Sequence, residues 1–256
     1  MSKLQALIFD VDGTLADTER DGHRVAFNQA FADAGLDWDW TVDVYGDLLS
    51  VTGGKERIHF FLQKYQPDFS VDGDLTEFIA SLHKTKTDHY LKLLQQGRIP
   101  LRPGVERLLH EAKEADLTLG IATTTTPANV SYLLKSTLGA DSFAWFDVIA
   151  AGDIVPAKKP AADIFEYALK DLNLKADQCM AFEDSGNGIL SARGAGLKTI
   201  VTINNYTRDH DFSDAVLVLD QFGEPDTPCQ VLQGAPMKKG YLDVAQIREL
   251  FAADSS

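Results

Sequence analysis

Short apolar runs rich in branched residues recur along this 256-residue chain, at 4–9, 117–122, 148–151, 179–182, 199–203 and 216–219. Runs of this length without polar alternation read as strands buried on both faces. Helical patterns separate most of them, at 105–115, 128–136, 161–172 and 187–195. Strands that alternate with helices predict an α/β fold: a parallel sheet with helices on both faces. One block breaks the alternation. From 18 to 99 the periodicity is only helical, in stretches at 18–34, 42–49, 55–65 and 75–96. It lies between the first and second strands, so it predicts an all-helical domain inserted into a core made of residues 1–17 and 100–256. Open α/β sheets take their ligands at the carboxyl ends of the strands, and the insertion is expected as a cap over that edge. The tail after Gly223, with Pro225, Pro228 and Pro236, is expected to run as a loop to a final helix at 244–251.

Four features stand at predicted strand ends. Asp10-Val11-Asp12-Gly13-Thr14 places two carboxylates just past the first strand, where both reach one bound cation, and Gly13 allows a sharp turn. Thr123 closes the second strand, Lys159 precedes Pro160 after the third, and Glu183-Asp184 close the fourth. Singly, each is more often a turn or cap residue. In this order, each at a strand end, they make a phosphoryl-transfer site. Hydrolysis of a phosphate monoester is very slow without a catalyst, and a carboxylate nucleophile splits it into two easier steps. Asp10 would attack phosphorus. Asp12 would protonate the leaving oxygen and then activate water. Magnesium would be held by Asp10, Asp184 and the Asp12 backbone carbonyl, with Glu183 in support. Thr123 and Lys159 would bind the phosphoryl oxygens.

The formal net charge of −14, with 24 Lys+Arg against 38 Asp+Glu and no basic run, argues against a nucleic-acid or membrane-surface partner. No apolar run approaches the ~20 residues that cross a bilayer. Two cysteines, Cys179 in a predicted strand and Cys229 in the tail, make no disulfide framework, and a cytoplasmic setting is expected.

The Asp10-x-Asp12-Gly13-Thr14, Thr123, Lys159 and Glu183-Asp184 set resembles the four motifs of the haloacid-dehalogenase superfamily of phosphatases. That resemblance implies a modified Rossmann core and a helical cap of the type shared with β-phosphoglucomutase and phosphonatase. The second acid, Asp12, argues against the dehalogenases themselves.

Within the inserted block, Thr52-Gly53-Gly54-Lys55-Glu56-Arg57 opens a helix. Its glycines allow close backbone approach, and N–H groups at a helix start suit an anion. His83, Lys86 and Tyr90 share a helix face, so Lys86 joins the same candidate anion site. Glu19 would accept from sugar hydroxyls. Thr124, Thr125 and Thr126 are further donors, with Thr126 as N-cap and Pro127 at the first helical position. A substrate with two phosphates would present one to Asp10 and the other to Lys55, Arg57 and Lys86. Together with Trp38-x-Trp40, Tyr45, His83 and Lys158-Lys159-Pro160, these residues resemble the CbbY phosphatases. These accompany Rubisco and dephosphorylate the inhibitory by-product xylulose-1,5-bisphosphate. The resemblance adds Tyr45, Gly53, Gly54 and His83 to the substrate-binding set and implies a small sugar bisphosphate partner, a functional link to Rubisco without direct contact, and a workable monomer. One extra residue lies between Glu19 and His23, around Asp21 and Gly22, and is expected to loosen the first helix. Three other readings stay open: a β-phosphoglucomutase-like isomerase, a broad sugar-phosphate phosphatase and, most remote, a non-catalytic binding protein.

Overall fold

The computed structural model describes residues 3–51 and 53–253. The chain folds as two compact units, Met1–Asp17 with Pro100–Ser256, and Thr18–Ile99.

The first unit is built on a seven-stranded sheet in the order β3-β2-β1-β4-β5-β6-β7. The strands are β1 (Ala6–Phe9), β2 (Thr118–Thr123), β3 (Val148–Ala151), β4 (Cys179–Glu183), β5 (Lys198–Thr202), β6 (Leu217–Leu219) and β7 (Val231–Gly234). All neighbours are parallel except β6 and β7. The helices α5 (Val105–Glu114), α6 (Pro127–Leu138), α7 (Asp163–Leu172), α8 (Gly186–Gly194) and α9 (Val244–Ala252) complete it. This is the α/β sheet expected from the alternation. The chain winds from β1 out to β3, then returns to place β4 on the other side of β1. That reversal is the topological switch point where such sheets bind ligands. The register sets the site: Phe9 pairs with Phe182, so Asp10 and Glu183 leave the sheet side by side.

Alternate residues serve opposite faces. Ala6 and Ile8 pack with Ile164, Phe165 and Ala168 of α7. Phe9 stacks on Phe182 at 4.4 Å, and Phe222 meets Phe182 edge-on at 5.5 Å. Burying each such side chain stabilises by roughly 1.5–3 kcal/mol. Cys179 is fully buried, and burial, helped by the Asp177 charge, pushes its thiol up to about 12. It is packing material, not a nucleophile. The tail departs from the expected loop: it contributes β7, an antiparallel edge strand, before α9.

The second unit holds α1 (Arg24–Asp33), α2 (Val42–Leu48), α3 (Gly54–Tyr65) and α4 (Leu75–Gln95). Its core is aromatic. Trp40 packs against Phe27 at 4.5 Å and Phe31 at 4.9 Å, while Trp38 packs against Phe31 at 5.2 Å. The expected single helix over 18–34 is instead a π-helical turn, Thr18–His23, followed by α1. A π turn absorbs one extra residue without displacing the helix that follows. Gly22 lets this turn pack closely, because a Cβ there would lie 2.6 Å from Ile99 and 2.8 Å from Tyr90. Among the described residues no helix is long and apolar enough to cross a membrane.

Candidate active site

At the switch point Lys159 is the hub. Its Nζ donates to Asp10 Oδ1 at 2.6 Å, Glu183 Oε1 at 2.5 Å and the Ala122 carbonyl at 2.9 Å. An ammonium has three protons, and all three are engaged. Lys159 therefore reaches a phosphoryl oxygen only by exchanging one of these partners. Burial alone would lower its pKa; the Asp10 and Glu183 charges outweigh burial and raise it above the usual lysine range. Lys159 is a fixed cation.

Asp184 stands beside them. Ligand oxygens of Asp10, Glu183 and Asp184, all buried, lie within 4.8 Å of one another. Burial raises the Glu183 carboxyl to about 7, against the opposing pull of Lys159 and with the help of the Asp10 charge. Burial, then the Asp10 and Glu183 charges, hold the Asp184 carboxyl well above the usual carboxylate range. Three carboxylates against one lysine leave an excess of buried negative charge, which is costly without a partner. Hard oxygen donors in this number suit a hard divalent cation, so the residues present fit one. Asp12 is half-buried, and its side chain is not part of that carboxylate group among the described residues.

The turn after β1 shows why the motif needs glycine. Gly13 has φ +89°, and a Cβ there would run into the Asp184 carboxylate and sit 2.7 Å from the Asn204 amide. Asn204 donates to Asp184 Oδ2 at 2.6 Å. The Gly13 N–H is tied to the Ala16 carbonyl at 2.7 Å. Gly188 has a similar role on α8, since any Cβ would strike the Glu183 carboxylate.

Thr123 is fully buried at the end of β2, and its Oγ1 accepts from the Thr125 N–H at 3.3 Å. Thr126 caps α6 by accepting from Asn129 N at 3.3 Å, and Pro127 is the first helical residue. Thr124 and Thr126 are exposed, and Thr125 Oγ1 accepts from the Asn129 amide at 3.2 Å.

In the helical unit the sequence candidates fall into two groups. Glu19, Tyr45 and Arg57 form one: Arg57 Nη1 donates to Tyr45 Oη at 2.7 Å, Tyr45 donates to Glu19, and Arg57 lies 3.8 Å from Glu19. Arg57 Nε is buried without a hydrogen-bond partner among the described residues. Lys86 and His83 belong to the second, with His23. Lys86 is buried, lies 5.0 and 5.1 Å above the Phe27 and Tyr90 rings, and bonds His23 Nδ1 at 2.8 Å. An ammonium cannot accept, so Nδ1 does. Burial, then Lys86, Arg57 and His83, hold the His23 pKa far below its usual value, and the ring is neutral. His83 is lowered by burial and then by Lys86 and Lys55. Gly54 packs under the His83 ring, and Lys55 is exposed. At Gly53, the helix N-cap, the Glu56 carboxylate folds back over the glycine. Thr52 lies outside the described residues.

Sequence reasoning missed Asn204, Arg102 and His23. Asn204 was within reach, because it follows β5 at a strand end like the others.

The family model of haloacid dehalogenase-like hydrolases matches residues 4–196. The CbbY protein of Cupriavidus necator is 46% identical over 246 residues, covering 96% of each chain. The CbbY protein of Rhodobacter capsulatus is 49% identical over 213 residues, covering 83% of this chain and 91% of its own. Among solved structures, a CbbY variant from Rhodobacter sphaeroides in complex with xylulose-1,5-bisphosphate is similar at a TM-score of 0.73 and 44% identity. It covers 87% of this chain and 96% of its own.

Proposed function

The chain belongs to the haloacid dehalogenase-like hydrolases, and from that membership we propose that it is a magnesium-dependent phosphatase of sugar bisphosphates, with xylulose-1,5-bisphosphate as substrate. The observation that carries the chemistry is the Lys159 ammonium shared by Asp10 and Glu183, with Asp184 alongside. The substrate reading is supported by likeness to the protein held with that sugar and by the cation-rich residues of the helical unit.

Asp10 attacks phosphorus, forming an aspartyl-phosphate as the bond to the sugar oxygen breaks. Lys159, bonded to Oδ1, keeps that carboxylate from turning and leaves Oδ2 for attack. Asp12 gives its proton to the departing sugar oxygen, then takes one from the water that hydrolyses the aspartyl-phosphate. Thr123 binds one phosphoryl oxygen, and Lys159 binds another by exchanging its bond to the Ala122 carbonyl while keeping Asp10. Asp10, Asp184 and the Asp12 carbonyl would hold magnesium, whose charge would offset the repulsion between Asp10 and the phosphate. The helical unit selects the substrate. Glu19 and Tyr45 take sugar hydroxyls. Gly53, Gly54, Lys55, Arg57, His83 and Lys86 take the phosphate that is not hydrolysed, and Thr124, Thr125 and Thr126 supply further donors. In a cell that runs Rubisco, this activity would clear an inhibitory by-product.

The test is phosphate release, with magnesium, from xylulose-1,5-bisphosphate against ribulose-1,5-bisphosphate. Strong preference for the first is expected. Equal rates would sink the reading, because such an enzyme would destroy the substrate of Rubisco.

A further inference from the structure

Arg102 is buried at 8% exposure, and nothing in the chemistry above uses it. A guanidinium carries five N–H donors in a rigid planar fork and never loses its charge. Buried, it must find acceptors. Nη1 donates to the Gly13 carbonyl, to the Thr202 carbonyl at 3.3 Å and to Thr202 Oγ1 at 3.2 Å. Nη2 donates to the Ile203 carbonyl at 2.6 Å and the Asp220 carbonyl at 2.7 Å. Nε lies 3.7 Å from Asp17. Apart from Asp17, the acceptors belong to three separate segments: the turn after β1, the end of β5 and the residue after β6.

Two of these segments hold active-site groups. Gly13 follows Asp12 directly. Its N–H is fixed by the Ala16 carbonyl and its C=O by Arg102, so neither peptide flanking Gly13 is free to rotate. Ile203 precedes Asn204, whose amide bonds Asp184. Gly13, Asn204 and Asp184 meet at one point, where a Gly13 Cβ would strike the other two. Arg102 holds the backbone of the first two. A lysine has one ammonium at the end of a flexible stem and cannot span these carbonyls.

We propose that Arg102 is a positioning residue, whose fork locks the loop carrying Asp12 against the loop carrying Asn204 so that Asp12 stands where it protonates the leaving oxygen. This rests on the acid role assigned to Asp12 above. It makes a demand that simple structural support does not. A sugar leaves as an alkoxide and needs a proton. A p-nitrophenolate leaves unaided. Misplacing Asp12 should slow phosphoryl transfer from the sugar and spare transfer from the aryl ester. The water step that follows, where Asp12 is the base, is common to both. It stays out of kcat/KM, which covers only the steps up to departure of the leaving group.

The experiment compares Arg102→Lys with wild type, magnesium-saturated, on xylulose-1,5-bisphosphate and p-nitrophenyl phosphate, with kcat/KM corrected for the folded fraction at the assay temperature. The expected result is a fall in kcat/KM of roughly a hundredfold on the sugar, the lower range of general-acid contributions, and of less than about threefold on p-nitrophenyl phosphate. Equal losses on both, or none on the sugar, overturn the proposal. If Arg102→Lys does not fold, Thr202→Val removes one acceptor only. The same split on a smaller scale is then expected, and equal effects overturn it. The phosphatase reading fails separately, when wild type itself releases no phosphate from p-nitrophenyl phosphate. If wild type cleaves that ester but not the bisphosphate, only the substrate falls. The split is then read on the alkyl phosphate that wild type turns over fastest.

Discussion

In the sheet unit three buried carboxylates crowd around one lysine that pairs with two of them, while in the helical unit two imidazoles are pushed below their usual pKa among Lys86, Arg57 and Lys55. Each cluster is crowded with one sign of charge. Carboxyls are pushed up in the first and imidazoles down in the second, and burial is the leading cause in both. The partner each would suit is opposite: a cation for the first, an anion for the second. The means of placement differ too. Strand register sets Asp10 beside Glu183, whereas Lys86 meets His23 only because α4 packs on the segment containing the π turn. On the proposed reading one cluster serves reaction and the other selection, and substitutions should separate them.

The largest effect is expected at the nucleophile. Asp10→Asn should lower phosphate release by about four orders of magnitude or more on sugar and aryl phosphates alike. A folded variant with substantial turnover on either would remove Asp10 from the centre of the reaction.

Next comes the acid crowding. Glu183 titrates near 7 in the folded chain and near 4.3 when unfolded. Between those values the folded protein keeps a proton that the unfolded chain has released, so metal-free stability falls as pH rises. The stabilisation is fully present below the unfolded pKa and lost through about pH 7. Relative to Glu183→Gln, the metal-free wild type should lose about 3 kcal/mol between pH 4.5 and 8, read from denaturant midpoints. Added magnesium should restore more at pH 8 than at pH 5. Parallel pH profiles for the two proteins would show that the crowding is not there.

These contrasts explain what the chain disclosed in advance. Asp10, Thr123 and Glu183-Asp184 end apolar strands, where periodicity stops abruptly, and Lys159 follows β3 before a proline; they could be read directly. Arg102 could not, because its partners are backbone carbonyls around a hundred residues away that no side-chain pattern marks. His23 is identified by its bond to Lys86, 63 residues on. The π turn looked like a helix with a surplus residue, since the break in period spans six residues. The strand β7 is a four-residue edge with three residues exposed, too short to show alternation.

In the helical unit Arg57→Ala should raise KM for xylulose-1,5-bisphosphate by roughly ten- to a hundredfold, the range of a lost charge-assisted hydrogen bond. Turnover of p-nitrophenyl phosphate should hardly change. Equal losses on the two substrates would merge the clusters into one function.

The smallest effect tests whether selection depends on where His83 stands. At Gly54 a new Cβ would collide with the His83 ring, while Phe27 lies at 3.5 Å in ordinary contact. The glycine has no positive φ to lose, and at the first position of α3 alanine is favoured by less than the ~1 kcal/mol of a helix interior. Backbone propensity therefore favours Gly54→Ala and the ring clash opposes it, so stability should move by less than about 1 kcal/mol. The ring itself must still swing, because it is the far end of a half-buried side chain and the helix backbone is not. KM for the bisphosphate should then rise about threefold to tenfold, with kcat on p-nitrophenyl phosphate unchanged. An unchanged KM would mean that His83 packs against Gly54 without taking part in selection, and would leave Arg57, Lys86 and Lys55 to hold the anion alone.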